Sequence, residues 1–316
     1  MKFSPIIPFE PILTNQLPVG DTWIAQIKWD GVRMLSYYDG GCTELINRRG
    51  NRRTPQYPEL TDIKAYCKAD SVILDGEIIA LSNGKPSFQE VMRRDSLRKE
   101  AAIRSAKDQI QVIYMVFDIL FCNGIWTLNQ PLSSRQALLK EMLIPYPHVQ
   151  IVPSYTNPEE LWASAQSHEL EGIMCKDLSS TYTPGGKDKR WQKRKIISDV
   201  TAVAGGVTFR DGRVNALLLG LYDEEGRLQY IGHAGSGRLK MEDWRLLTNQ
   251  ALKLATPTMP FTNLPQRYAG AFWVSPQLVF KVHFLEWNPS GTLRHPVIQA
   301  SVDIPPRECR LTGQKN

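Results

Sequence analysis

The stretch AQIKWDGVR, residues 25–33, decides the reading of this chain. It sets Lys28 among apolar neighbours in a strand-like run and follows it with Asp30-Gly31 and Arg33. An apolar strand is a costly place for a cation, and a lone lysine there ordinarily snorkels, with its stem on the strand and its ammonium in water. A lysine used as a nucleophile needs the opposite state. It must be neutral, so burial or nearby cations must lower a reference pKa of about 10.4. An Asp-Gly pair between strand-like runs is a hairpin signal, and a hairpin here would bring Lys28 and Arg33 to one ligand from adjoining strands.

Groups that could serve such an amine follow along the chain. LDGEI, residues 74–78, supplies Asp75 and Glu77, which share a strand face if no turn intervenes. LEGIMCK, residues 170–176, supplies Glu171. Carboxylates without histidine or cysteine company suit a hard cation such as Mg2+. KDKRWQKRK, residues 187–195, places Lys193 and Lys195 at period two, both able to face a phosphate. Phe117, in MVFDIL, offers a ring for stacking on a base. Each has an ordinary alternative: Asp75-Gly76 as a turn, Glu171 as a surface acid, Phe117 as core, the basic run as a solvated face.

Composition is that of a globular chain long enough for two domains: 316 residues, 42% hydrophobic and 22% charged. The net charge of +6 suits a phosphate-rich partner without requiring one. Five scattered cysteines (Cys42, Cys67, Cys122, Cys175, Cys309) form no C-x-x-C pair, which argues against a zinc knuckle or a disulfide framework. The first residues carry acids and prolines rather than a signal peptide's apolar core, and no apolar run approaches the roughly 20 residues of a membrane helix. The expectation is a soluble, cytoplasmic protein with no membrane partner.

Strand-like runs dominate the first two-thirds: TWIAQIK, VRMLSYY, CTELINR, SVILDGEIIAL, QVIYMVFDILF and EGIMCKD. Asp39-Gly40-Gly41 and Asp75-Gly76 read, like Asp30-Gly31, as hairpin turns. SFQEVMRR and PLSSRQALLKEML read as helices, and NPEELWASAQS as a third with an Asn cap and Pro at its first position. Past a basic run at 185–199 come VTAVAGGVTF, NALLLGLYD, LQYIGHAGSG and WVSPQLVFKVHFLEW, interrupted by the helical MEDWRLLTNQALKLA. Five or so strands and a helix there fit a small barrel of the OB type.

Taken in order, KWDGVR, NRRG, LDGE, VFDILF, EGIMCK and WQKRK resemble the nucleotidyltransferase motifs of ATP-dependent DNA ligases, above all the ligase module of bacterial end-joining enzymes. The later strands are similar to that family's OB domain. The resemblance implies an α+β fold: an ATP-grasp-like nucleotidyltransferase domain of antiparallel sheets with helices over 1–198, then an OB-fold barrel over 199–316. It implies sealing of 5′-phosphate/3′-hydroxyl nicks in DNA repair or end joining, through AMP bonded covalently to Lys28. It assigns adenine stacking to Phe117, contacts with nucleotide or nick phosphate to Arg33 and Arg48, and the α-phosphate to Lys193 and Lys195. Glu77 would contact ribose or metal, Glu171 would hold metal, and Asp30 would help position nick or nucleotide. ATP and Mg2+, with Mn2+ as the alternative, would be the cofactors. Nicked double-stranded DNA and a Ku-like end-binding protein would be the partners of a monomer, nucleoid-associated in a bacterium. MRRDSLRKEAAIR and KDKRWQKRK would add DNA phosphate contacts.

Two positions depart from the family pattern. Gln26 stands where many ligases have a glutamate that reads the adenine amino group; its amide oxygen can still accept that hydrogen bond. Ser301, Asp303 and Ile304 stand where an R-x-D-K-like motif orients pyrophosphate, which implies slow self-adenylation; Arg307 and Arg310 are the nearest cations that could compensate. An RNA ligase or capping-type guanylyltransferase, and a non-catalytic nick-binding protein, are the alternative readings.

Overall fold

The computed structural model describes residues 3–311 apart from Asn83, Glu169, Ser236, Arg238 and Arg267. The chain divides into two units, Met1–Ile196 and Ile197–Asn316.

Two sheets build the first unit. Its early strands are β1 (Glu10–Leu13), β2 (Trp23–Ile27), β3 (Val32–Tyr38), β4 (Thr43–Asn47), β5 (Val72–Ser82) and β6 (Lys85–Pro86). After helices α1 (Phe88–Asp95) and α2 (Glu100–Gln109) come β7 (Val112–Cys122) and β8 (Ile125–Trp126). Helix α3 (Leu132–Met142), β9 (Val149–Ile151), α4 (Pro158–Ser167), β10 (Gly172–Asp177) and β11 (Lys187–Lys195) complete it. One sheet has the order β1-β11-β10-β2; the other runs β4-β3-β5-β7-β8, with β6 on β5 and β9 on β7. The sheets are mixed rather than purely antiparallel, because β1 joins β11 and β9 joins β7 in parallel.

Local chemistry sets several of these elements. Asn157 caps α4, accepting from the N–H groups of Glu159 and Glu160 at 3.1 and 3.2 Å. Ser87 caps α1 through Glu90 N–H. Asp39 Oδ1 accepts from Gly41 and Cys42 N–H, closing the β3–β4 hairpin.

Two expected hairpins are absent. Asp30-Gly31 does not fold β2 onto β3: β2 pairs with β10, β3 with β4 and β5, so the chain crosses between sheets at this point. Gly31 is there for space, since a Cβ would lie 2.2 Å from the Ile78 carbonyl oxygen. Asp75-Gly76 lies inside β5, which runs on through it. A Cβ on Gly76 would sit 2.5 Å from the Tyr114 ring and 2.7 Å from the Met115 oxygen.

The second unit holds β12 (Ser198–Arg210), β13 (Arg213–Tyr222), β14 (Leu228–Ala234), α5 (Met241–Lys253), β15 (Phe272–Trp273), β16 (Val279–Phe284) and β17 (Val297–Ser301). Its sheet has the order β14-β13-β12-β16-β17, with β15 also on β12, and forms the half-barrel of an OB-type domain. Leu217, Leu219, Ile231, Phe280, Val282 and Ile298 are in its core, with Leu247 and Ala251 of α5 packed among them. The expected strand-like stretch WVSPQLVFKVHFLEW holds the end of β15 and the whole of β16, and β17 lies beyond it.

Candidate active site

The crossing at Asp30-Gly31 sets the geometry of a cleft between the two sheets of the first unit. On β2, β10 and β11, Gln26 lies opposite Met174 and Met174 opposite Lys193; two residues along, Lys176 lies opposite Trp191. Alternation therefore puts Gln26, Met174, Lys176, Trp191, Lys193 and Lys195 on one face. Lys28 follows β2 directly, its N–H bonded to the Gly172 oxygen at 3.0 Å, and Gly172 is opposite Lys195. On the other sheet Arg33, Glu77 and Met115 form one row. The faces meet: Lys176 Nζ is 4.1 Å from the centroid of Phe117, on β7, and 4.0 Å from that of Trp191.

Lys28 Nζ pairs with Glu171 Oε1 at 2.5 Å, and Lys195 Nζ is 3.9 Å from the same oxygen. Glu171 is buried, and its second oxygen, Oε2, has no hydrogen-bond partner among the described residues. Burial pushes the Glu77 carboxyl up to about 7; Lys28 and Arg33 pull it down, while Glu171 and Asp30 raise it further. Burial also brings the Lys176 ammonium down to about 7, with Asp118 and Asp75 opposing. A lysine and a glutamate displaced in opposite directions within one cleft are a pattern that functional sites produce.

Of the residues expected in a site, Lys28, Glu77, Glu171 and Lys195 converge here, and Gln26, Phe117 and Lys193 lie on the cleft faces. Phe117 is half-buried. Arg33 differs from expectation. Its Nε and Nη2 form a fork on Asp75 at 2.9 and 2.6 Å, Nη1 donates to the Phe9 oxygen at 2.6 Å, and Nη2 also reaches the Tyr182 hydroxyl. That hydroxyl in turn donates to Asp75 at 2.8 Å. Burial opposes its charge, but Asp75 more than compensates, and the guanidinium holds its proton more firmly than in water. These bonds hold its guanidinium in the wall of the cleft. Arg48 is exposed and pairs with Glu10 at 3.1 Å. The basic stretch MRRDSLRKEAAIR contributes less to the surface than its charge suggests, because Arg94 is fully buried. In the second unit Ser301 ends β17, and Arg307 is engaged with the Gly226 oxygen at 2.6 Å and the Tyr222 ring at 4.5 Å.

Lys176, Trp191, Tyr182 and Ser154 are not among the residues expected in a site. For Lys176 a signal existed: it alternates with Met174 along β10. For Ser154, whose Oγ accepts from Gln26 Nε2 at 3.0 Å, no local pattern marks the contact.

The donor set fits a magnesium-like ion. No cluster of three or more candidate ligands occurs among the described residues. Two carboxylates, one with an orphaned buried oxygen, are what Mg2+ asks of a protein when substrate phosphates and water complete its shell.

Comparison with known proteins gives these features a context. The family model "ATP dependent DNA ligase domain" matches residues 11–195, and "ATP dependent DNA ligase C terminal region" matches 210–301. A multifunctional non-homologous end joining DNA repair protein LigD of Mycobacterium tuberculosis is 32% identical over 286 residues, covering 86% of this chain and 35% of that protein. A DNA ligase of Methanothrix thermoacetophila is 34% identical over 266 residues, covering 82% of this chain and 47% of that protein. This chain thus spans between a third and a half of these curated relatives. A solved structure of mycobacterial DNA ligase D complexed with ATP and MES superposes with a TM-score of 0.70 at 28% identity, covering 96% of this chain and 97% of that one.

Proposed function

This chain belongs to the ATP-dependent DNA ligase family, and from that premise we propose that it seals nicks in double-stranded DNA through AMP bonded to Lys28. The observation that carries the reading is the convergence of Lys28, Glu171, Glu77 and Lys195 in one cleft. The neutral Lys28 amine attacks the α-phosphorus of ATP; a P–N bond forms, the bond to the β-phosphate oxygen breaks, and pyrophosphate leaves. A 5′-phosphate oxygen at the nick then takes the adenylyl group and returns the amine. Finally the 3′-hydroxyl attacks that 5′-phosphorus, loses its proton and expels AMP.

The chain's own groups divide this work. Phe117 stacks on adenine and Gln26 meets its edge. Lys193 and Lys195 hold the α-phosphate and offset the charge that develops on it. Glu171 and Glu77 would hold Mg2+, with Mn2+ as the alternative; bound there, the ion supplies positive charge to the phosphates. For attack, Lys28 leaves its pairing with Glu171 and passes its proton to solvent. Arg48, on the surface, is assigned to nucleotide or nick phosphate. Arg33 is assigned to support of Phe117, whose ring centroid is 5.3 Å from its guanidinium.

Nicked duplex is the proposed substrate and end joining the proposed pathway, with a Ku-like protein as partner of a monomeric ligase in the cytoplasm, at the nucleoid in a bacterium. No helix among the described residues is long and apolar enough to cross a membrane. Both family models describe DNA ligases, which sets aside the RNA ligase and guanylyltransferase readings. The non-catalytic reading keeps one observation, the altered stretch at Ser301, Asp303 and Ile304. Incubation with ATP and Mg2+ followed by intact mass decides: the proposal expects a gain of one AMP, absent in Lys28→Ala, and no gain in the wild type would refute it.

A further inference from the structure

The segment after β9 ties the two sheets of the first unit together beside the cleft. Val152 N–H bonds to the Val116 oxygen, next to Phe117, at 2.8 Å. Three residues on, Tyr155 exchanges both backbone hydrogen bonds with Ala25, next to Gln26, each at 2.8 Å. Ser154 lies between these anchors, and its Oγ accepts the 3.0 Å hydrogen bond from Gln26 Nε2. Gln26 is only 2% exposed. A carboxamide carries a donor at one end and an acceptor at the other. With its NH2 group held by Ser154, the carbonyl oxygen takes no hydrogen bond among the described residues and is the end left for a ligand.

We propose that Ser154 is a specificity-determining positioning residue: it fixes the Gln26 amide so that its carbonyl oxygen selects a base with an amino donor on the facing edge, adenine, over one with a carbonyl there, guanine. The inference rests on the reading that a nucleotide base stacks on Phe117 beside Gln26. Guanine would set its O6 against the Gln26 oxygen, acceptor against acceptor, in a site where unpaired polar groups are costly. Without the serine hydroxyl the amide is free to turn over and present its NH2 to O6. A glutamate at position 26 has no donor end, so the same loss should change nothing.

The test uses the full chain with Mg2+. Covalent nucleotide transfer from labelled ATP and from labelled GTP is measured together with the Kd of each by calorimetry, and melting curves check the fold. The proteins are wild type, Ser154→Ala, Ser154→Thr, Gln26→Glu and the Gln26→Glu/Ser154→Ala double variant. Ser154→Ala should lower the ATP-over-GTP preference by about tenfold, chiefly by admitting GTP. Ser154→Thr, which keeps the hydroxyl, should restore the preference. In the Gln26→Glu background, Ser154→Ala should leave it unmoved. An unchanged preference in Ser154→Ala, an equal loss for both nucleotides, or the same change in the glutamate background would each overturn the inference. If the wild type neither binds nor takes up either nucleotide, the nucleotide-site reading itself fails and this inference falls with it.

Discussion

Arg94 and Glu171 are both buried charged residues of the first unit, and their surroundings differ in what they leave unpaired. The Arg94 guanidinium reaches Glu59 at 2.5 Å, the Gln56 oxygen at 3.0 Å and the Ile110 oxygen at 2.9 Å. Beside it Asp95 takes Arg53 and the Tyr57 hydroxyl, each at 3.0 Å. Arg135 and Asp118, both fully buried, form an equally closed fork at 2.8 and 2.9 Å. In the cleft, Glu171 keeps an orphaned oxygen, Glu77 is pushed up to about 7, and Lys176 rests against two rings with no ion pair among the described residues. Closed charge clusters hold a fold, whereas open ones cost stability and stay useful only where a ligand completes them.

The contrast can be broken by substitution. Arg94→Ala strands Glu59 in the interior and should cost about 3–5 kcal/mol in urea unfolding. A loss below about 1 kcal/mol would mean that Arg94 does not close the cluster. Glu171→Gln should do the reverse, lowering covalent AMP uptake by about a hundredfold or more while costing far less stability than Arg94→Ala. Equal stability losses in the two variants would erase the distinction.

Lys176 sharpens the comparison through pH. Burial lowers its ammonium from 10.5 to about 7. Across that interval the unfolded chain holds a proton that the folded chain lacks, so stability rises with pH, by up to about 1.4 kcal/mol per unit. Below about 7 both states are protonated and this slope disappears. Unfolding at pH 7 and pH 9 should therefore show a rise in the wild type that Lys176→Met flattens; parallel profiles would deny Lys176 its place in the open cluster. The smallest effect belongs to an ordinary cap: Asn157→Ala should cost about 1 kcal/mol of unfolding free energy.

Much of the fold could be read in advance, because strands, the Asn157 cap and the period-two lysines of β11 are encoded locally. Asp30-Gly31 and Asp75-Gly76 were misread for a common reason. Asp-Gly signals a turn, but these glycines answer to a carbonyl and a ring brought near by the fold, and no local pattern records such approach. The candidate site was legible where a motif carried it, as with Lys28, Glu77, Glu171 and Lys195. The fork of Arg33 on Asp75 and its contact with Tyr182 were not legible, since those partners reach it from 42 and 149 residues away. Ser154 meets Gln26 across 128 residues and left no sign in the sequence.

The most direct measurement is sealing of an ordinary nick and of a nick already adenylated at its 5′ end, by wild type and by Lys28→Ala. The wild type should seal both, and the pre-adenylated one faster, because Ser301, Asp303 and Ile304 supply no cation for pyrophosphate. Lys28→Ala should fail on the ordinary nick yet still join the adenylated end. Sealing of ordinary nicks by Lys28→Ala at the wild-type rate would contradict the assignment of AMP to Lys28.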